Sequence, residues 1–177
     1  MVMTEYKWLE ARSCEATVSS ASLMALDNKI ISRRRIALGD AYPRKDTASH
    51  WLNLGNTLAN GGQYEEAVKA FDRAIELNPK DTEVWNNRGI VLSLLKRNKE
   101  AIWSFEKATS IDPRNAEAWY NRGMVLCSLE RYEDAIVHFE KALEIDPQSA
   151  IAWHNKGVAL RFLGRDAEAR FAFACAG

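Results

Sequence analysis

The side chains with the right types for nucleophilic, acid–base or metal chemistry are few in this 177-residue chain. His50, His138 and His154 stand at none of the i, i+3 or i+4 spacings that place two ligands on one helix face, and no HExxH occurs. Each is read as solvated or groove-lining. Cys14, Cys127 and Cys175 are odd in number and far apart, which excludes a disulfide framework and any CxxC pair. Cys127 has no histidine at helical spacing and is read as a small packing or groove residue. No GxGxxG, GxxxxGK[ST] or GxSxG is present, so neither a phosphate cradle nor a nucleophile elbow is expected. The carboxylate pairs Glu65-Glu66 and Glu133-Asp134 precede apolar periodic runs, where acids favour the positive end of a helix dipole. The chain is therefore read as a non-enzyme with no metal and no cofactor.

Charge narrows the partners. Twenty-four basic residues balance 24 acidic ones, against the basic excess usual in polyanion binders. The run Arg33-Arg34-Arg35 lies in a segment, 1–47, that holds eight basic and six acidic residues. It is read as a solvated helix face or a docking contact, and a nucleic-acid partner is not expected. No run approaches the ~18 apolar residues of a membrane span, and no apolar signal-peptide core follows Met1. With unpaired cysteines, these features suit a reducing, cytoplasmic setting.

The elements that would position any site follow from a repeat. Trp51, Trp85, Trp119 and Trp153 are spaced 34 residues apart. The same period returns in Gly55, Gly89, Gly123 and Gly157, in Leu58, Leu92, Leu126 and Leu160, and in Phe71, Phe105, Phe139 and Phe173. Pro79, Pro113 and Pro147 close the first three units. Each unit reads as two helices. In the third, Trp119, Gly123 and Leu126 share one helical face over 116–129, and Ile136, Phe139 and Leu143 another over 133–145. Gly61-Gly62 and Gly164 mark turns between helices, and Asp-Pro pairs end second helices. The recurring glycine lets the paired helices approach closely, so a larger residue at Gly123 overpacks them.

With its Trp…Gly…Leu…Ala…Phe…Pro spacing, the pattern resembles the tetratricopeptide repeat. Units are 48–81, 82–115, 116–149 and 150–177, the last seven residues short of a period. Leu stands for the signature Tyr in every unit, and Asn98 and Asp166 stand where Tyr64 and Tyr132 stand in units one and three. The resemblance implies an all-α, right-handed superhelical solenoid of antiparallel helix pairs. It also implies a concave groove lined by the first helices, at places 2, 5, 6, 9, 12 and 13 of each unit, that holds a peptide or partner protein.

Carried over, place 6 is Asn53, Asn87, Asn121 and Asn155. Place 9 is Asn56, Ile90, Met124 and Val158, and place 5 supplies Asn86, Tyr120 and His154 after Leu52. An amide both donates and accepts, so a repeated Asn pairs with a peptide backbone without reading its side chains. The alternative is that each Asn bonds the neighbouring unit and stabilises stacking. A related clamp for acidic chaperone tails needs cations where this chain has Leu52 and Glu117, so such tails are not expected to bind. Arg88, Arg122 and Lys156, at place 7, are read as reaching the groove rim or pairing with acids of an adjacent helix. On the opposite side, place 22 gives Lys69, Trp103, Val137 and Phe171, an apolar row that offers a second partner surface.

Residues 1–47 lack the period. They read as helices near 4–16 and 21–38, forming either an N-terminal cap or a mobile leader. At the other end no extra polar helix follows unit four, so either the natural chain is longer or 166–177 pairs with another copy. Two further readings of function stay open: a self-associating structural module, and the substrate-binding fragment of a larger enzyme.

Overall fold

The computed structural model describes residues 46–177, and the leader helices and basic run read from sequence lie outside them. Within 46–177 the architecture is all-α: α1 (Ala48–Asn60), α2 (Tyr64–Leu77), α3 (Thr82–Leu94), α4 (Asn98–Ile111), α5 (Ala116–Ser128), α6 (Tyr132–Ile145), α7 (Ala150–Phe162) and α8 (Asp166–Cys175). Each helix packs on the next. The first helices α1, α3, α5 and α7 also touch one another in sequence, more closely than the second helices do, which makes theirs the concave side.

Local chemistry sets the boundaries. Thr47, Asp81 and Asn115 cap α1, α3 and α5 by accepting backbone N–H bonds from the first turn. Each first helix closes through the same pair of backbone bonds. In unit three Arg131 N–H donates to Leu126 O at 3.0 Å and Glu130 N–H to Cys127 O at 2.9 Å. This closure requires a left-handed residue. Gly62 and Gly164 supply it at φ 74° and 73°, whereas units two and three use Lys96 at 59° and Glu130 at 58°.

The glycine–phenylalanine pairing is a contact within each unit. A Cβ placed on Gly55, Gly89, Gly123 or Gly157 would lie 2.5–2.7 Å from Cε1 of Phe71, Phe105, Phe139 or Phe173 respectively. Phe71, Phe105 and Phe139 are at most 1% exposed, so the ring has nowhere to retreat. The tryptophans differ from their expected role as core fillers. Trp85 is buried, but Trp51, Trp119 and Trp153 are half-buried. Their indole N–H groups explain why. Trp85, Trp119 and Trp153 donate to the carbonyls of Pro79, Pro113 and Pro147 at 2.9–3.0 Å, tying each unit to the turn before it. A ring placed to reach that turn sits at the edge of the core. Trp51 has no such proline and donates to Asp46 instead, which with Arg73 holds that carboxylate below its ordinary range.

Candidate functional site

The concave face is built from side chains that point away from the second helices. Asn53 and His154 are exposed there, and Asn56, Asn87 and Ile90 are half-buried. Asn86, Tyr120, Asn121, Met124, Asn155 and Val158 are 1–7% exposed and lie in the seams between units. The amide row takes part in those seams. Asn87 Nδ2 donates to Asn56 Oδ1 at 3.0 Å, Asn121 Nδ2 to Asn86 Oδ1 at 3.2 Å, and Asn155 Nδ2 to the Tyr120 hydroxyl at 3.1 Å. Three of the four amides therefore bond the preceding unit through their donors. The acceptor Oδ1 atoms of Asn121 and Asn155 are buried without a hydrogen-bond partner.

The place-7 cations turn to the second helix of the preceding unit. Arg88 Nε is 2.7 Å from Asp72 Oδ1, and its Nη1 donates to the buried Ser104 hydroxyl at 2.7 Å. Lys156 is 2.8 Å from Glu140, and Arg122 is 3.9 Å from Glu106. These cations are engaged along the seams rather than presented as an anion site.

Between α3 and α5 lies a partly open cavity of about 180 Å³. Ile90, Met124, Val125 and Phe105 give it apolar walls, and Asn121 lines it together with Ser93, Asn98 and Ser128. Ser93 and Ser128 return their hydroxyl protons to carbonyls of their own helices, Ile90 O and Val125 O, at 2.7 Å. Sequence reasoning placed Ser93 and Ser128 on the groove but did not assign Asn98 to it. The signal was present, because Asn98 replaces a tyrosine of the neighbouring units.

The histidines separate. His154 is exposed, with its ring 5.4 Å from that of Phe173. His50 is exposed at the start of α1. His138 is neither solvated nor groove-lining: it is half-buried on α6, stacked on Trp119 at 5.5 Å. Burial, with the Arg122 charge adding to it, lowers its pKa to about 4. Among the described residues no group of three His, Cys, Asp or Glu side chains is placed to hold a metal ion. Cys127 is buried and Cys175 exposed, both as free thiols. No described helix is long and apolar enough to cross a membrane.

Known families match this architecture. One model of the tetratricopeptide repeat matches residues 48–81 and 116–149, and a second matches 70–102 and 138–171. The chain belongs to the tetratricopeptide repeat family. Among solved structures it is similar to MamA 41-end from Desulfovibrio magneticus RS-1, at 26% identity and TM-score 0.69, covering 75% of each chain. It is similar to the Arabidopsis OM64 TPR domain at 28% identity and TM-score 0.62, covering 64% of this chain and 94% of that one. The first TPR of Spaghetti (RPAP3), bound to the HSP90 peptide SRMEEVD, shares the fold at 22% identity and TM-score 0.65, covering 67% of this chain and 94% of that one.

Proposed function

We propose that this repeat array is a protein-interaction scaffold whose concave groove binds an extended segment of a partner protein. The observation that carries the reading is the partly open, apolar-walled cavity set between first helices and reached by a buried amide oxygen. Asn53, Asn56, Asn87 and His154 are the groove's polar contacts on this reading, and Ile90 and Met124 its apolar ones. Asn86, Tyr120, Asn121, Asn155 and Val158 form the floor that holds the first helices in register. A cytoplasmic setting, with Cys127 and Cys175 reduced, belongs to the same proposal.

The partner is not an acidic tail of the SRMEEVD kind. The place-7 cations are paired with Asp72, Glu106 and Glu140, and Glu117 is exposed where a clamp needs a cation. Calorimetric titration with SRMEEVD is expected to show no micromolar binding, and micromolar heat would overturn this assignment.

Selection from a displayed library of random extended peptides tests the groove. Selected peptides are expected to lose affinity for Asn53→Ala and His154→Ala, two exposed positions whose change leaves the melting temperature in place. Peptides indifferent to both variants would sink the groove reading.

A second reading has its own observation. Trp103, Val137 and Phe171 form a convex row at 47%, 53% and 65% exposure, suited to association between copies. Light scattering across concentration, with Phe171→Glu as control, separates this reading from a monomeric scaffold.

A further inference from the structure

The cavity between α3 and α5 has a cause visible in the other junctions. Where units three and four meet, Tyr132 from the start of α6 stacks on Phe162 near the end of α7, with ring centroids 4.7 Å apart and planes 3° from parallel. One period earlier the same two places are Asn98 and Ser128, and both line the cavity. At the first junction they are Tyr64 and Leu94. The junction of units two and three is therefore the one in which neither place carries an aromatic ring or a large apolar side chain. What remains is a volume of about 180 Å³, against the ~150 Å³ apolar cavity known to admit benzene. One ring with one polar substituent fits.

The lining also says what the ring carries. Asn121 is 3% exposed, spends its Nδ2 on Asn86, and leaves Oδ1 buried with no hydrogen-bond partner. A buried acceptor without a donor is costly, and an occupant with a donor relieves that cost. Asn155 Oδ1 is likewise unpartnered, but the cavity does not reach it. A phenol matches both features: its ring replaces the absent stack between Ile90 and Met124, and its hydroxyl donates to Asn121 Oδ1.

We propose that this cavity is an anchor subsite for a tyrosine side chain of the partner, entering from the groove. The inference rests on the groove-binding reading and sharpens it, since a buried aromatic anchor fixes the register of an otherwise backbone-read peptide.

The test uses the full chain and p-cresol, the tyrosine side chain as a free molecule, with toluene as its donor-less counterpart. Amide and side-chain NMR shifts are followed during titration. With p-cresol they are expected to saturate in the millimolar range and to centre on Ile90, Asn121, Met124, Val125 and Ser128. Toluene is expected to bind about three- to tenfold more weakly, because it leaves the acceptor unpaired. The double variant Asn98→Tyr, Ser128→Phe rebuilds the aromatic pair of the next junction and is expected to weaken p-cresol binding about tenfold or more. Should that variant lose its helicity, Asn98→Tyr alone takes its place, since tyrosine already stands at the corresponding position in units one and three. Shifts that map elsewhere, toluene binding as tightly as p-cresol, or a rebuilt junction that still binds p-cresol would each overturn the proposal. If p-cresol fails while library peptides still map to Asn53 and His154, the anchor is wrong and the groove stands. If p-cresol seats in the cavity but no library peptide maps to the groove, the groove reading fails.

Discussion

Replacing Gly123 with alanine adds a single methyl group at the most crowded contact of unit three. That carbon would lie 2.7 Å from Phe139 Cε1, 2.8 Å from Cδ1 and 3.2 Å from Ala135 O. Carbon atoms rest about 3.5–4.0 Å apart, so α5 and α6 must separate by roughly 1 Å or the ring must leave its rotamer. Phe139 is fully buried and cannot move outward. Overpacking of this kind costs about 1–3 kcal/mol. Against it, alanine gains about 1 kcal/mol of helix propensity over glycine. The expected net loss is about 1–2 kcal/mol, read from urea unfolding by far-UV circular dichroism. Gly61→Ala is the internal control. Its new carbon meets nothing closer than 3.4 Å at a negative φ, so stability is expected to stay within about 0.5 kcal/mol. A cycle with Phe139→Leu should show a coupling of about 1 kcal/mol, because both changes act on one contact. A Gly123→Ala protein as stable as its parent would refute close approach as the reason for the recurring glycine.

Three further outcomes follow from named groups. His138 titrates at about 4 in the folded chain and near 6.5 when unfolded, so between those values the unfolded state alone binds the proton. Stability is expected to fall as pH drops from 6.5 to 4 and to level below it, by about 1–3 kcal/mol, and His138→Gln should remove that part of the pH dependence. Glu130→Gly, at φ 58°, should stabilise by about 0.5–1 kcal/mol in the same urea assay, the relief of left-handed strain exceeding the entropy cost of glycine. Asn121→Ala should destabilise by about 1–3 kcal/mol, because it leaves Asn86 Oδ1 buried and unpaired, whereas Asn53→Ala leaves the melting temperature unchanged.

The helix pairs and the Gly–Phe contact were legible because side-chain identity repeats wherever the same contact repeats. The tryptophan's task was not. Its acceptor is the carbonyl of the proline six residues earlier, and every residue type offers a carbonyl, so the pairing leaves no mark in the pattern. Lys96 and Glu130 concealed two left-handed turns, since neither is a residue that the backbone geometry favours. The asparagine row was visible as a row, but whether an amide points at the groove or along the seam depends on the small rotation between units. For Asn87, Asn121 and Asn155 that rotation brings a partner at place 5 or 9 of the previous unit within reach. The cavity arises from two departures 30 residues apart, Asn98 and Ser128, that matter only together.

The seams have a sense of direction. In every cross-unit polar contact described above, the donor belongs to the later unit: the indoles of Trp85, Trp119 and Trp153, the amides of Asn87, Asn121 and Asn155, and the cations Arg88, Arg122 and Lys156. The earlier unit contributes only proline carbonyls, amide or phenol oxygens and carboxylates. Each unit thus has one face that gives protons and another that takes them, and like faces do not pair. A unit stacked upside down, or a second copy meeting this one by matching seam faces, would set cation against cation and N–H against N–H. The chain enforces head-to-tail order by polarity as well as by shape, and a nascent unit emerging during synthesis finds on its predecessor the acceptors its own donors need.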